Sequence, residues 1–92
     1  MTNKCKYKVH PVVSIRCVNS SFYEVFNPDE NSIVPVNQTG KDIIDFLSKD
    51  HTLDEICLYL NDLYDVDLET LKEDTSLFLK EMHPDYIMEI PL

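Results

Sequence analysis

The chain has a single glycine, Gly40, and no tryptophan. A loop that cradles phosphates needs several glycines to bring backbone N–H groups up to the ligand, so phosphate-loop nucleotide chemistry is excluded. Basic residues are scarce: eight Lys and Arg stand against seventeen Asp and Glu, a formal net charge of −9. Nucleic-acid binders neutralise phosphates with a Lys/Arg patch, and anionic membranes ask for the same, so this balance argues against both partners. No apolar run approaches the ~20 residues that cross a bilayer as a helix. The three cysteines, Cys5, Cys17 and Cys57, are odd in number. Together with His10, His51 and His83 they never fall into a C-x-x-C or H-x-x-x-H spacing, so no metal site is expected. Unpaired cysteine without a signal-peptide pattern fits a reducing cytoplasm. No Ser/His/Asp or Cys/His grouping suggests itself either. The expectation is a binding module with no catalytic residue and no cofactor.

What is present suffices for one small core: 43% of residues are apolar, with five Tyr and four Phe. That bounds the chain as one domain over residues 1–92. Met1 to Val9 is polar and basic and is expected to be flexible. Val13, Ile15 and Cys17 alternate with polar neighbours, Phe22 to Phe26 is aromatic and β-branched, and Ser32 to Asn37 is a third short strand pattern. Asn19-Ser20-Ser21 and Asn27-Pro28-Asp29-Glu30-Asn31 supply turn chemistry between them. Pro35 cannot donate to a ladder, which assigns the third strand to a sheet edge.

Three capped helical patterns follow. The first starts near Asn37 or Thr39 and carries Ile43, Ile44 and Leu47 on one stripe. The second opens on Thr52-Leu53-Asp54-Glu55, a capping box, and continues Ile56, Cys57, Leu60, Leu63, Tyr64. The third has Asp67 as N-cap, lines up Leu68, Leu71, Thr75, Phe78 and Met82, and stops at His83-Pro84. Residues 84–92 form a tail or a short closing strand. Gly40 falls just inside the first helix, where glycine costs about 1 kcal/mol against alanine, so a loose helix start or a close approach of another backbone is implied. The fold class is α+β and winged-helix-like, a three-stranded antiparallel sheet followed by three helices.

These segments resemble a known family, the PqqD-like proteins or RiPP recognition elements, from about Val12 to Met82. Val36-Asn37-Gln38-Thr39-Gly40 followed by Ile43-Ile44 is similar to the family's L-N-x-T-G-x-x-I-(I/L) segment. Thr52-Leu53-Asp54-Glu55-Ile56 with Leu60 and Tyr64 resembles its T-x-x-E-I-x-x-x-L-x-x-x-Y helix. Leu71-Lys72-Glu73-Asp74-Thr75 with Phe78-Leu79 and Met82 resembles its I-x-x-D-V-x-x-F-L-x-x-L helix. Thr75 and Met82 depart from that last pattern, and Pro84-Asp85-Tyr86-Ile87 stands where the family carries G-(L/I)-(L/I).

The resemblance implies a non-catalytic domain that binds the leader of a ribosomally synthesised precursor peptide. It would present that leader to a modifying enzyme, a radical SAM enzyme or a cyclase/protease set. The leader would join the sheet beside Ile33, Val34, Pro35 and Val36, and lie along a third-helix wall of Asp74, Leu77, Phe78 and Glu81. An unpaired edge strand is a physical template for such addition, and equally for pairing with a second copy of the chain, so a homodimer through that edge is a further expectation. The alternative is a winged-helix DNA-binding or regulatory module. Its reading helix would carry Glu69, Glu73, Asp74 and Glu81 against Lys72 and Lys80, a face that phosphates repel.

Overall fold

Period-2 alternation gives way to capped helical periodicity near Asn37, and the computed structural model, which describes residues 5–92, divides into strands and helices there. The order is β1 (Cys5–Val9), β2 (Ser14–Cys17), β3 (Phe22–Asn27), β4 (Ser32–Asn37), α1 (Gln38–Phe46), β5 (His51–Thr52), α2 (Leu53–Leu63), α3 (Leu68–Met82) and β6 (Ile87–Pro91). The expected three-stranded sheet is β2-β3-β4, antiparallel throughout. A second antiparallel sheet, β5-β1-β6, stands beside it.

That second sheet corrects the reading of the N-terminus. Cys5–Val9 was expected to be flexible, yet it is the central strand of β5-β1-β6, in register from Cys5 opposite Pro91 to Val9 opposite Ile87. Its partner comes from the far end of the chain, and Lys6 and Lys8 conceal the apolar alternation of Tyr7 and Val9. Residues 1–4 of the same expected segment lie outside the described residues. Of the two forms open to residues 84–92, the chain adopts the strand, β6.

Local chemistry sets the helix starts. Asn37 is both the last residue of β4 and the N-cap of α1, its Oδ1 accepting the Gly40 N–H at 2.9 Å. Thr52 and Glu55 form the reciprocal capping box of α2, and Asp67 caps α3 by accepting the Thr70 N–H at 3.0 Å. Thr52→Ala should therefore lower stability by about 1 kcal/mol, read as a shift in the urea midpoint at constant slope. An unchanged midpoint would show that the box is not holding α2. His51 stacks on Phe46, which stacks in turn on Tyr59, with centroids 3.9 and 4.2 Å apart. This sandwich ties the α1–α2 joint together.

The core lies between the inner face of β2-β3-β4 and the helices. Val25 and Val36 meet Ile43, Ile44 and Leu47 of α1 and its end, Ile56, Cys57 and Leu60 of α2, and Leu71, Thr75, Leu79 and Met82 of α3. Cys57 is a buried core residue, and burial pushes its thiol pKa up.

Candidate functional site

β4 ends the sheet order β2-β3-β4, so among the described residues it has a strand partner on one side only. Pro35 stands opposite Glu24 in the β3–β4 register. A proline fits a ladder only with its ring nitrogen turned away from the partner strand. By alternation Ile33 then turns its N–H and C=O to the open edge as well, and Val34 and Val36 turn theirs to β3. The free edge thus offers the N–H groups of Ile33 and Asn37 and the carbonyls of Ile33 and Pro35. Side chains divide the other way across the sheet: Val36 is buried and Val34 half-buried toward the helices, whereas Ile33 and Pro35 are exposed on the outer face.

Facing this edge is α3. Its apolar stripe, Leu71, Thr75, Leu79 and Met82, is buried. The adjoining face presents Asp74, Leu77, Phe78 and Glu81 toward β4 and α1, so these four line one groove. A cavity of about 480 Å³ is bounded by β4 from Val34 to Asn37 and by Phe78, Glu81, Met82 and Tyr86. It adjoins a second cavity of about 440 Å³, which shares Asn37, Phe78 and Glu81 and extends past Asp74 and Leu77. Leu77 is 59% exposed, a large apolar side chain with no cover of its own. Asp74 and Glu81 are exposed carboxylates, and the ion pairs among the described residues engage other acids: Asp50, Glu24, Asp45, Glu55 and Asp54.

The groove is shaped by Gly40. A Cβ added there would stand 3.0 Å from Val36 Cβ and 3.1 Å from Phe78 Cε1. The missing side chain is what lets β4, α1 and the Phe78 ring converge, so the close approach at this lone glycine is made by the side chains of Val36 and Phe78 rather than by another backbone. The far end is closed by polar links. Asn27, buried on β3, donates its Nδ2–H to the Asp85 carbonyl and accepts the Asp29 N–H at 2.9 Å. Tyr86 donates its hydroxyl to Ser32 Oγ at 2.9 Å, and His10 Nε2 lies 2.7 Å from the Pro84 carbonyl oxygen. These links pin the segment after α3 to the β3–β4 hairpin and to the β1–β2 connection, and so fix how far α3 stands from β4.

Several lining residues were not anticipated from the sequence. Thr39, Ile43, Tyr64 and Val66 complete the second cavity. Tyr64 donates its hydroxyl to the Asp42 carboxylate, and this bond holds the phenol above its ordinary pKa. The available signal was the helical spacing Leu60-x-x-x-Tyr64, which places Tyr64 on the buried stripe of α2 but does not say that it faces α1 and α3. Among the described residues no group of three or more His, Cys, Asp or Glu is gathered as a metal set, and no helix is long and apolar enough to cross a membrane.

An open edge strand thus stands beside an apolar, acid-rimmed helix face. Residues 24–85, well over half of the chain, match the family described as coenzyme PQQ synthesis protein D (PqqD), and the chain belongs to that family. The match takes in β4 and all three helices. Among solved structures, the one described as TbiB1 in complex with the TbiA(beta) leader peptide superposes with a TM-score of 0.68. It covers 82% of this chain and 86% of its own at 19% identity, a likeness of fold. Among curated proteins, none matches this chain in sequence.

Proposed function

We propose that this protein binds the leader region of a ribosomally synthesised precursor peptide and presents it to a peptide-modifying enzyme, without performing chemistry itself. The leader adds as a strand to the open edge of β4 and lays alternate side chains into the groove beside α3. The observation that carries this reading is the unpaired β4 edge facing Leu77 and Phe78 across a continuous cavity. Main-chain bonds to Ile33 and Pro35 would set register, and the groove would supply selectivity. Membership of the PqqD family supports the role, and the structural neighbour was solved with a leader peptide bound. A radical SAM enzyme or a cyclase/protease set is the class of modifying enzyme such a carrier serves. The acidic face of α3 does not favour the DNA-binding alternative.

The test is anisotropy of a labelled leader from the precursor peptide encoded beside this chain. Saturable binding at or below micromolar, about −8 kcal/mol, is expected. No binding at high protein concentration would overturn the proposal. Leu77→Ser should weaken that binding roughly five- to thirtyfold, as loss of an interface anchor does, while leaving the melting curve within about 0.5 kcal/mol, as exposed substitutions do. Unchanged affinity in the folded variant would remove Leu77 from the site.

A further inference from the structure

We infer that the peptide taken by this site is a strand with two chemically different faces: lysine or arginine side chains toward α3, and apolar side chains toward the outer face of the β2-β3-β4 sheet. The inference rests on the strand-addition reading above.

The inward half follows from what occupation does to α3. Asp74 and Glu81 are two helical turns apart, roughly 10 Å along the axis, with Leu77 and Phe78 between them. A strand seated in the groove strips water from both carboxylates. A carboxylate covered without a cation partner weakens the complex. A short apolar side chain would cover Leu77 and leave that penalty standing. A lysine or arginine meets both demands, because its methylene stem lies on Leu77 and Phe78 while its charged head reaches a carboxylate. The chain's net charge of −9 would also draw a basic peptide in from solution.

The outward half follows from strand geometry. Successive side chains of an added strand alternate between faces. Those that do not face α3 come to stand beside Ile33 and Pro35. Ile33 is 54% exposed and is paired across the strands with Phe26, itself 38% exposed. They border a shallow cavity of about 330 Å³ whose two charged groups, Arg16 and Glu24, are already bonded to each other. An apolar partner is what this surface lacks. Uncovered aliphatic surface on an open edge invites aggregation, and an added strand with apolar outward residues would cover it.

The test selects short random peptides displayed against the full chain, then follows amide resonances on binding. Enriched sequences are expected to alternate Lys/Arg with apolar residues and to shift the amides of Ile33, Val34, Val36 and Asn37. In an enriched peptide, replacing an inward basic residue by serine should weaken binding about tenfold or more, the scale of a charge-assisted hydrogen bond. Replacing an outward apolar residue should weaken it about two- to fivefold, the scale of a cross-strand pair. Asp74→Lys with Glu81→Lys should turn the selected basic positions acidic and leave the apolar ones alone. Ile33→Glu should turn the apolar positions basic and leave the inward ones alone. Peptides that shift the β4 amides yet show no such alternation overturn this inference and leave strand addition intact. Peptides that bind without shifting those amides, or a failure to enrich any sequence, overturn strand addition itself.

Discussion

Phe78→Ala is expected to cost leader binding at least about thirtyfold, or about 2 kcal/mol, the scale of an interface hot spot. The ring belongs to both cavities of the groove and rests against Gly40. Removing it takes away the wall that a seated side chain would press against, and it opens space beneath the strand rather than on its surface. A stability loss accompanies the change, since the ring is half-buried and packed on the core; large-to-small changes at fully buried aromatics reach about 3–5 kcal/mol, and this one should fall below that. The two effects separate experimentally. Binding is measured by anisotropy at a temperature where circular dichroism shows the variant folded, and Phe78→Leu serves as the variant that keeps bulk. Retained affinity in folded Phe78→Ala would mean that the peptide sits elsewhere.

Asn27→Ala should produce the largest loss of stability among polar substitutions, about 2–4 kcal/mol. The side chain is 3% exposed, donates to the Asp85 carbonyl, and accepts from Asp29 and Glu30. Its removal leaves the Asp85 carbonyl and the Asp29 and Glu30 N–H groups without their partner and loosens the turn, a group left unmatched costing about 1–3 kcal/mol where water cannot reach it. For a domain of this size that is a large share of a total of order 5–14 kcal/mol, and it should lower Tm by roughly 10–20 °C. Leader affinity should fall as well, because the same carboxamide anchors the segment that holds the end of α3 near β4. A Tm within a couple of degrees of the parent would show that Tyr86 and His10 hold that segment without it.

The sheet β2-β3-β4, the three helices and their caps were legible in the chain because each rests on short-range physics. Thr52-x-x-Glu55 satisfies its own backbone donors, Asp67 does the same for α3, and Ile43, Ile44, Ile56 and Leu60 recur at helical spacing whatever lies beyond them. Pro35 marked an edge strand for an equally local reason, its missing N–H. The groove wall was legible in part: Leu77 lies off the buried stripe of α3, and an apolar residue on a second face has no partner within its own helix.

Other features depended on partners far along the chain. Cys5–Val9 is a strand only because Ile87–Pro91 returns to pair with it, and no local pattern in a lysine-bearing segment reveals a ladder some eighty positions away. Asn27 read as a turn residue; that it also clasps Asp85 follows from the path of the chain after α3. Tyr64 and Val66 became groove residues through the packing of α2 against both α1 and α3. The sequence by itself determined β2, β3, β4 and the three helices, the edge character of β4 and the acidity of the surface, since propensity, capping and charge are written residue by residue. Only the tertiary structure decided that the β4 edge, Gly40 and Phe78 converge on one groove, because that distance is set by side chains from four separate elements packing at once.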